Sequence, residues 1–191
     1  MVMSKMIFVT GFARGGTSWL RDCIAAHPDI AKIPGEMVLF RDIKDRESIE
    51  QAIEEAILQN NLNAPFYVNK APANAPYIGK ACRLFPDAKF IFIIRDPRDV
   101  FISHKRGEQK WMGGKNSIVV GCMHKIEKYY NGYIEASDSD NVLLVRYEDL
   151  HQNFIDTMMK VYKFIGVDNS PLIIQDVFRK TNFIAVTVGP V

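Results

Sequence analysis

Residues 7–20, IFVTGFARGGTSWL, read as a buried strand, a glycine-rich turn and the first turn of a helix. Ile7, Phe8 and Val9 form a short apolar run with β-branched members, as a buried strand requires. Gly11, Gly15 and Gly16 free the backbone for a tight turn, and Thr17 and Ser18 suit the start of a helix. Several backbone N–H groups point outward from such a turn, and the helix dipole adds partial positive charge, so an anion is held there. Thr17 and Ser18 bring hydroxyl donors to that place, and Arg14 brings a full charge. The spacing departs from the GxxxxGK[ST] loop of nucleotide triphosphatases at one point: Gly11 and Gly16 fit, but Thr17 stands at the lysine position. The loop therefore argues against a triphosphate–magnesium site. By itself it leaves open a plain connecting turn.

Outward from this loop, strands alternate with helices. Residues 17–27 carry apolar side chains at helical spacing and stop at His27-Pro28. Residues 31–33 suggest a second strand, followed by Pro34-Gly35-Glu36. Glu36 thus falls just past a strand end, where open α/β sheets place their chemistry. Residues 45–59 predict a helix with a capping box of Ser48 and Gln51. A third strand at 66–68 runs into Asn69-Lys70-Ala71-Pro72, and residues 75–84 read as helical. Taken singly, Glu36 and Lys70 are equally compatible with solvated surface groups.

KFIFII, residues 89–94, is the most hydrophobic run and reads as a central strand buried on both faces. It ends at Arg95-Asp96-Pro97-Arg98-Asp99, with Pro97 placed for the first turn of a helix carrying Ser103. An arginine directly after a buried strand either clamps a phosphate through two N–H groups or pairs with a neighbour such as Asp99. Residues 105–114 lack a period and suggest a mobile loop or substrate lid. A long helix is expected at 117–136, a strand at 142–145 followed by Arg146-Tyr147-Glu148-Asp149-Leu150, helices at 154–165 and 171–178, and a tail from 181.

This alternation predicts one domain, 1–191, with a three-layer, P-loop-like α/β fold around a mostly parallel sheet of about five strands. Its functional edge is expected to gather Arg14, Glu36, Lys70 and Arg95. A net charge of +2 is too balanced to point to nucleic acid, so anion binding must come from local clusters. Cys23, Cys82 and Cys122 lie far apart with no metal spacing, which suggests reduced thiols. With no apolar run near the length of a membrane span and the first strand close to the start, a cytoplasmic protein without stable membrane insertion is expected.

These residues resemble the sulfotransferases that use 3′-phosphoadenosine 5′-phosphosulfate (PAPS). GFARGGTSWL is similar to their 5′-phosphosulfate loop, which implies Arg14, Gly15, Gly16, Thr17, Ser18 and Trp19 as cofactor-binding residues. FIFIIRDPRDVFIS is similar to their 3′-phosphate motif, with Arg95 and Ser103 at the family spacing, and LLVRYEDL, residues 143–150, is a supporting match. The similarity runs from about residue 6 to 166. Within the superfamily the chain looks like the tyrosylprotein and related bacterial type, through Arg14, His27-Pro28 with Gly35-Glu36, and Asn69 to Pro72. That resemblance implies Glu36 as catalytic base, with Arg14 and Lys70 acting on the sulfonyl group. A histidine base two residues after the lysine, as in the small-molecule cytosolic enzymes, is replaced here by Pro72.

The resemblance further implies PAPS as co-substrate, adenosine 3′,5′-bisphosphate (PAP) as product, no metal, and an acceptor hydroxyl, or less readily an amine, on a small molecule, sugar, lipid or peptide. The acceptor loops are expected at 36–46 and 107–115. The family usually continues with a basic, glycine-containing segment over the nucleotide. Here Arg179-Lys180 gives way to an apolar tail. The competing readings are a P-loop kinase of a small metabolite and, from the short C-terminus, a non-catalytic nucleotide-binding module.

Overall fold

The computed structural model describes residues 2–42, 45–106 and 118–181. A 3₁₀ turn (Val2–Lys5) leads into β1 (Met6–Gly11), α1 (Thr17–Ala25) and β2 (Ile30–Lys32). Next come α2 (Leu39–Asp42), α3 (Arg46–Gln59), β3 (Phe66–Lys70), a 3₁₀ helix (Pro72–Tyr77), α4 (Ile78–Leu84) and β4 (Lys89–Ile94). The remaining elements are α5 (Pro97–Arg106), α6 (Ile118–Ile134), β5 (Val142–Arg146), α7 (Tyr147–Gln152), α8 (Phe154–Ile165) and α9 (Pro171–Thr181).

The sheet has the order β2-β3-β1-β4-β5, and every pairing is parallel. Parallel neighbours need crossover connections, so helices come to cover both faces and the central strands must be apolar all round. The alternation of side chains along each strand then sorts the core into two layers. Phe8 of β1 and Phe90 and Phe92 of β4 face α2, α3 and α4, with the rings of Phe8 and Phe90 stacked 5.3 Å apart. Ile7, Val9, Ile91 and Ile93 face α1, α8 and α9. The expected α/β class and parallel sheet are therefore observed.

Several local readings are corrected. The cap of α3 is Asp45, whose Oδ1 accepts the Ser48 N–H at 2.7 Å, and not Ser48 with Gln51. A carboxylate one turn earlier satisfies the first amides and complements the helix dipole better than a serine hydroxyl. The helix expected at 75–84 is divided, because Pro76 sits in the 3₁₀ segment before α4 begins. The short helices α2 and α7 were not foreseen. Of the expected lid, Lys105 and Arg106 close α5 and residues 107–114 lie outside the described residues, as does the tail beyond Thr181. Among the described residues, no helix is long and apolar enough to cross a membrane.

Candidate active site

The strand order places the charged residues side by side. Glu36 lies four residues beyond β2, Lys70 ends β3, Arg14 sits in the loop after β1, and Arg95 directly follows β4. These four strands are consecutive in the sheet. With strands about 4.8 Å apart, the row of attachment points spans roughly 15 Å of the carboxyl edge.

On the Arg95 side the parts interlock. Arg14 adopts φ +68°, a left-handed conformation that costs a non-glycine residue about 1–2 kcal/mol. Its Nε donates to Ser103 Oγ at 3.1 Å, and its carbonyl accepts from Arg95 Nη1 at 3.4 Å. The Arg95 guanidinium lies 4.1 Å from the centre of the Tyr147 ring. Asp99 approaches it only to 4.0 Å, so the competing carboxylate pairing is loose. Arg95 Nε is buried and has no hydrogen-bond partner among the described residues. A buried N–H on a cation costs free energy until an acceptor reaches it.

The backbone around these side chains is fixed by long-range contacts. Gly16 caps α1 with φ +96°, and no side chain among the described residues closes the helix start, so its N-terminal dipole faces the loop. A Cβ at Gly16 would stand 2.5 Å from Tyr147 Cδ2. The Trp19 ring packs edge-on to Tyr147 at 5.6 Å, and its Nε1 donates to the Thr181 carbonyl at 2.9 Å. Thr17 is buried and Ser18 exposed on that first turn. After β4, Asp96 accepts from the Arg98 backbone and guanidinium, and the Arg98 side chain above all draws its carboxyl down to about 2. The Asp96 N–H itself donates to Glu148 Oε1 at 2.8 Å.

On the other side, Lys70 Nζ hydrogen-bonds Glu36 Oε1. Lys70 is only 8% exposed, whereas 47% of the Glu36 side chain is open to solvent. The turn carrying Glu36 is pinned from beneath. Asn69 Oδ1 accepts the Met37 N–H at 3.2 Å, and Asn74 Nδ2 donates to the Met37 carbonyl at 2.9 Å. Thr10 Oγ1 ties Ala71, next to Lys70, to β1 at 3.1 Å. Burial, ahead of its neighbour Tyr77 and of Glu36, raises the phenol of Tyr129 beside this pair.

The residues expected from sequence thus divide into a Glu36–Lys70 pair and an Arg14–Ser103–Arg95 cluster with Gly15, Gly16 and the start of α1, along one edge. Trp19 joins the second group as a brace between α1 and the end of α9. Sequence reasoning gave no role to Tyr147, Glu148, Asn69 and Asn74. The signal for the first two was a polar RYED run directly after a strand.

A chain whose parallel sheet bears at its carboxyl edge a glycine-rich helix start, two arginines, a buried lysine and one carboxylate is a three-layer α/β protein with an edge suited to an anionic ligand. Comparison with known proteins names the group. Residues 41–171 match the family model described as Sulfotransferase family. The chain is 28% identical over 193 residues to the protein-tyrosine sulfotransferase of Drosophila melanogaster, covering 85% of this chain and 38% of that protein. It is 25% identical over 190 residues to protein-tyrosine sulfotransferase 1 of Danio rerio, covering 85% and 53%. A mouse sulfotransferase crystallised with PAP superimposes with a TM-score of 0.70 at 17% identity, over 98% of this chain and 68% of that one. The chain belongs to the sulfotransferase family, the PAPS-dependent enzymes, and nothing in these likenesses favours a kinase.

Proposed function

We propose that this chain transfers the sulfonyl group of PAPS to an acceptor hydroxyl, with Glu36 as general base. The carrying observation is the uninterrupted order Glu36, Lys70, Arg14, Arg95 along one sheet edge. The 3′-phosphate belongs with Arg95 and Ser103, since Arg95 offers a buried N–H that has no partner among the described residues. The 5′-phosphosulfate belongs with the amides of Gly15 to Trp19 and with Arg14. Lys70 and Glu36 then flank the sulfonyl group from the acceptor side.

In the transfer the acceptor oxygen forms the new S–O bond while the bond from sulfur to the bridging phosphate oxygen breaks. Negative charge grows on the departing and equatorial oxygens, and Arg14, Lys70 and the loop amides are fixed where that charge develops. The acceptor proton passes to the Glu36 carboxylate, a step worth about 10²–10⁴-fold. PAP leaves as product. The acceptor class of the relatives named above, a protein tyrosine, has its hydroxyl in common with this reading. A reducing, cytoplasmic setting fits it too, as the thiols of Cys23 and Cys82 are free and buried.

Glu36→Gln tests the assignment. Transfer of labelled sulfonyl to acceptors is expected to fall by about 10²–10⁴-fold while calorimetric PAP affinity stays within about twofold. Turnover close to that of the unmodified protein removes Glu36 from the mechanism.

A further inference from the structure

We infer that Asn69 and Asn74 are positioning residues for the transfer, a matched pair of side-chain clamps that set its rate by fixing the backbone on either side of Glu36. The inference rests on the sulfonyl-transfer reading, in which Glu36 is the base, and adds two residues that act through it.

The pairing of β2 with β3 closes before the base is reached. Its register ends at Lys32 and Val68, and the Ile33 N–H is donated to the Val68 carbonyl at 2.9 Å. Beyond that point two carboxamides take the place of a strand partner. Asn69 Nδ2 donates to the Gly35 carbonyl at 3.4 Å, and its Oδ1 accepts the Met37 N–H at 3.2 Å. One side chain therefore grips the backbone both before and after Glu36. Asn74 repeats the device one step on: its Nδ2 donates to the Met37 carbonyl at 2.9 Å, and its Oδ1 accepts the Phe40 N–H at 3.3 Å. All four bonds end within residues 35–40, the stretch that carries the base.

The turn brings little rigidity of its own. Pro34, Gly35 and Glu36 are exposed, so packing does not fix them. Gly35 holds φ +74°, a conformation that glycine enters and leaves freely. The helix that follows, α2, has four residues, too few to be stable alone. The clamps themselves are rooted in the interior. Asn69 and Asn74 are 1% and 4% exposed, one on β3 and the other in the 3₁₀ helix after it. Through them the buried end of β3 imposes its geometry on an exposed carboxylate. A base must stand within hydrogen-bond reach of the proton it takes, and a misplacement of about 1 Å costs about 100-fold.

The test uses the whole chain, labelled PAPS, and phenol, a tyrosine-containing peptide, a hexose and a long-chain alcohol as acceptors, with kinetics taken on those that are turned over. Asn69→Leu and Asn74→Leu should each lower kcat about tenfold and together approach about 100-fold, with calorimetric PAP affinity held within about twofold. The deciding measurement repeats them in the Glu36→Gln background. With the base already gone, either leucine should change kcat by less than about twofold. Asn69→Ser and Asn74→Ser carry the same expectations should the leucines disturb folding, because the space they open admits water to the freed backbone groups. Ile165→Ala, buried in the opposite layer, is the control: it should lower Tm and leave kcat unchanged at temperatures where it is folded. An unchanged kcat, a loss that persists in full without Glu36, or a loss of PAP affinity equal to the loss of kcat overturns the inference; the sulfonyl-transfer reading then stands on the effect of Glu36→Gln alone. Failure of the unmodified chain to bind PAP or to transfer sulfonyl to any of these acceptors overturns that reading, and this inference with it.

Discussion

Substituting Gly16 by alanine probes the joint between the glycine-rich loop and Arg95. Gly16 holds φ +96°, and an L-residue placed there pays about 1–2 kcal/mol in backbone strain. Its Cβ would also stand 2.5 Å and 3.0 Å from two carbons of the Tyr147 ring, so the ring must move, and overpacking of this kind costs about 1–3 kcal/mol. The two contributions together come to about 2–5 kcal/mol. For a chain of 191 residues that corresponds to a fall in Tm of about 5–15 °C. The displaced ring also supports the Arg95 guanidinium at 4.1 Å, so affinity for PAP should fall further than affinity for adenosine 5′-phosphate. A double-mutant cycle with Tyr147→Ala separates the causes. Strain at φ +96° is present in both backgrounds, but the clash exists only with the ring in place. Gly16→Ala should therefore cost about 1–3 kcal/mol less in the Tyr147→Ala background by denaturant unfolding. Additive costs would refute the contact argument.

Three further outcomes follow from the hydrogen bonds and the buried thiol. Glu148→Leu removes the acceptor of the Asp96 N–H and should lower PAP affinity by about 10–100-fold, with a smaller effect on adenosine 5′-phosphate, while Glu148→Gln keeps the acceptor and most of the affinity; equal losses for the two nucleotides would detach Glu148 from the Arg95 turn. Asn69→Leu frees the turn that carries Glu36 and should reduce kcat by about tenfold with the KM for PAPS little changed, so a rise in that KM alone would contradict it. Burial pushes the Cys23 thiol from 9.0 up to about 12, so above pH 9.0 the unfolded chain sheds a proton that the folded chain keeps. Stability from this source is complete below pH 9.0 and is lost as pH rises toward about 12. Cys23→Ala should accordingly show a flatter decline over that window, and parallel curves would refute the account.

The parts of the fold legible in sequence were those whose side chains obey a local rule. Residues 89–94 announce a central strand because both of its faces are buried, and residues 7–20 announce a strand, turn and helix because glycine and hydroxyl residues mark the junction. What escaped was set by distant contacts. Tyr147 matters through Gly16 and Arg95, and Glu148 through the Asp96 amide 52 positions away. Trp19 reads as a site residue from its loop, yet its indole N–H is engaged 162 positions later at Thr181. The helices α2 and α7 span four and six residues, too few for a period to show. The capping box failed for a similar reason: Ser48 and Gln51 fit the pattern, but Asp45 was better placed.

The order of the four charges along the edge is not their order in the chain, and the hand of the crossovers explains how they come to divide between two sides. A crossover between parallel strands is right-handed in nearly all cases, so steps in opposite directions across a sheet put their helices on opposite faces. From β1 the chain steps one way to reach β2, and α1 lands with Ile7, Val9, α8 and α9. The steps from β2 to β3 and from β3 to β4 run the other way, and α3 and α4 land with Phe8, Phe90 and Phe92. The glycine-rich start of α1 and its Tyr147 brace therefore belong to one face. The Glu36 turn, the Asn69 and Asn74 pins and the α6 tyrosines belong to the other. Arg95, directly after β4, touches both: it rests on Tyr147 and also lines a pocket with Phe92 of β4 and Ile126 and Tyr130 of α6. On this geometry, changes on the α1 face should register in nucleotide affinity and changes on the α6 face in acceptor KM, with Arg95 the position where the two effects cannot be separated.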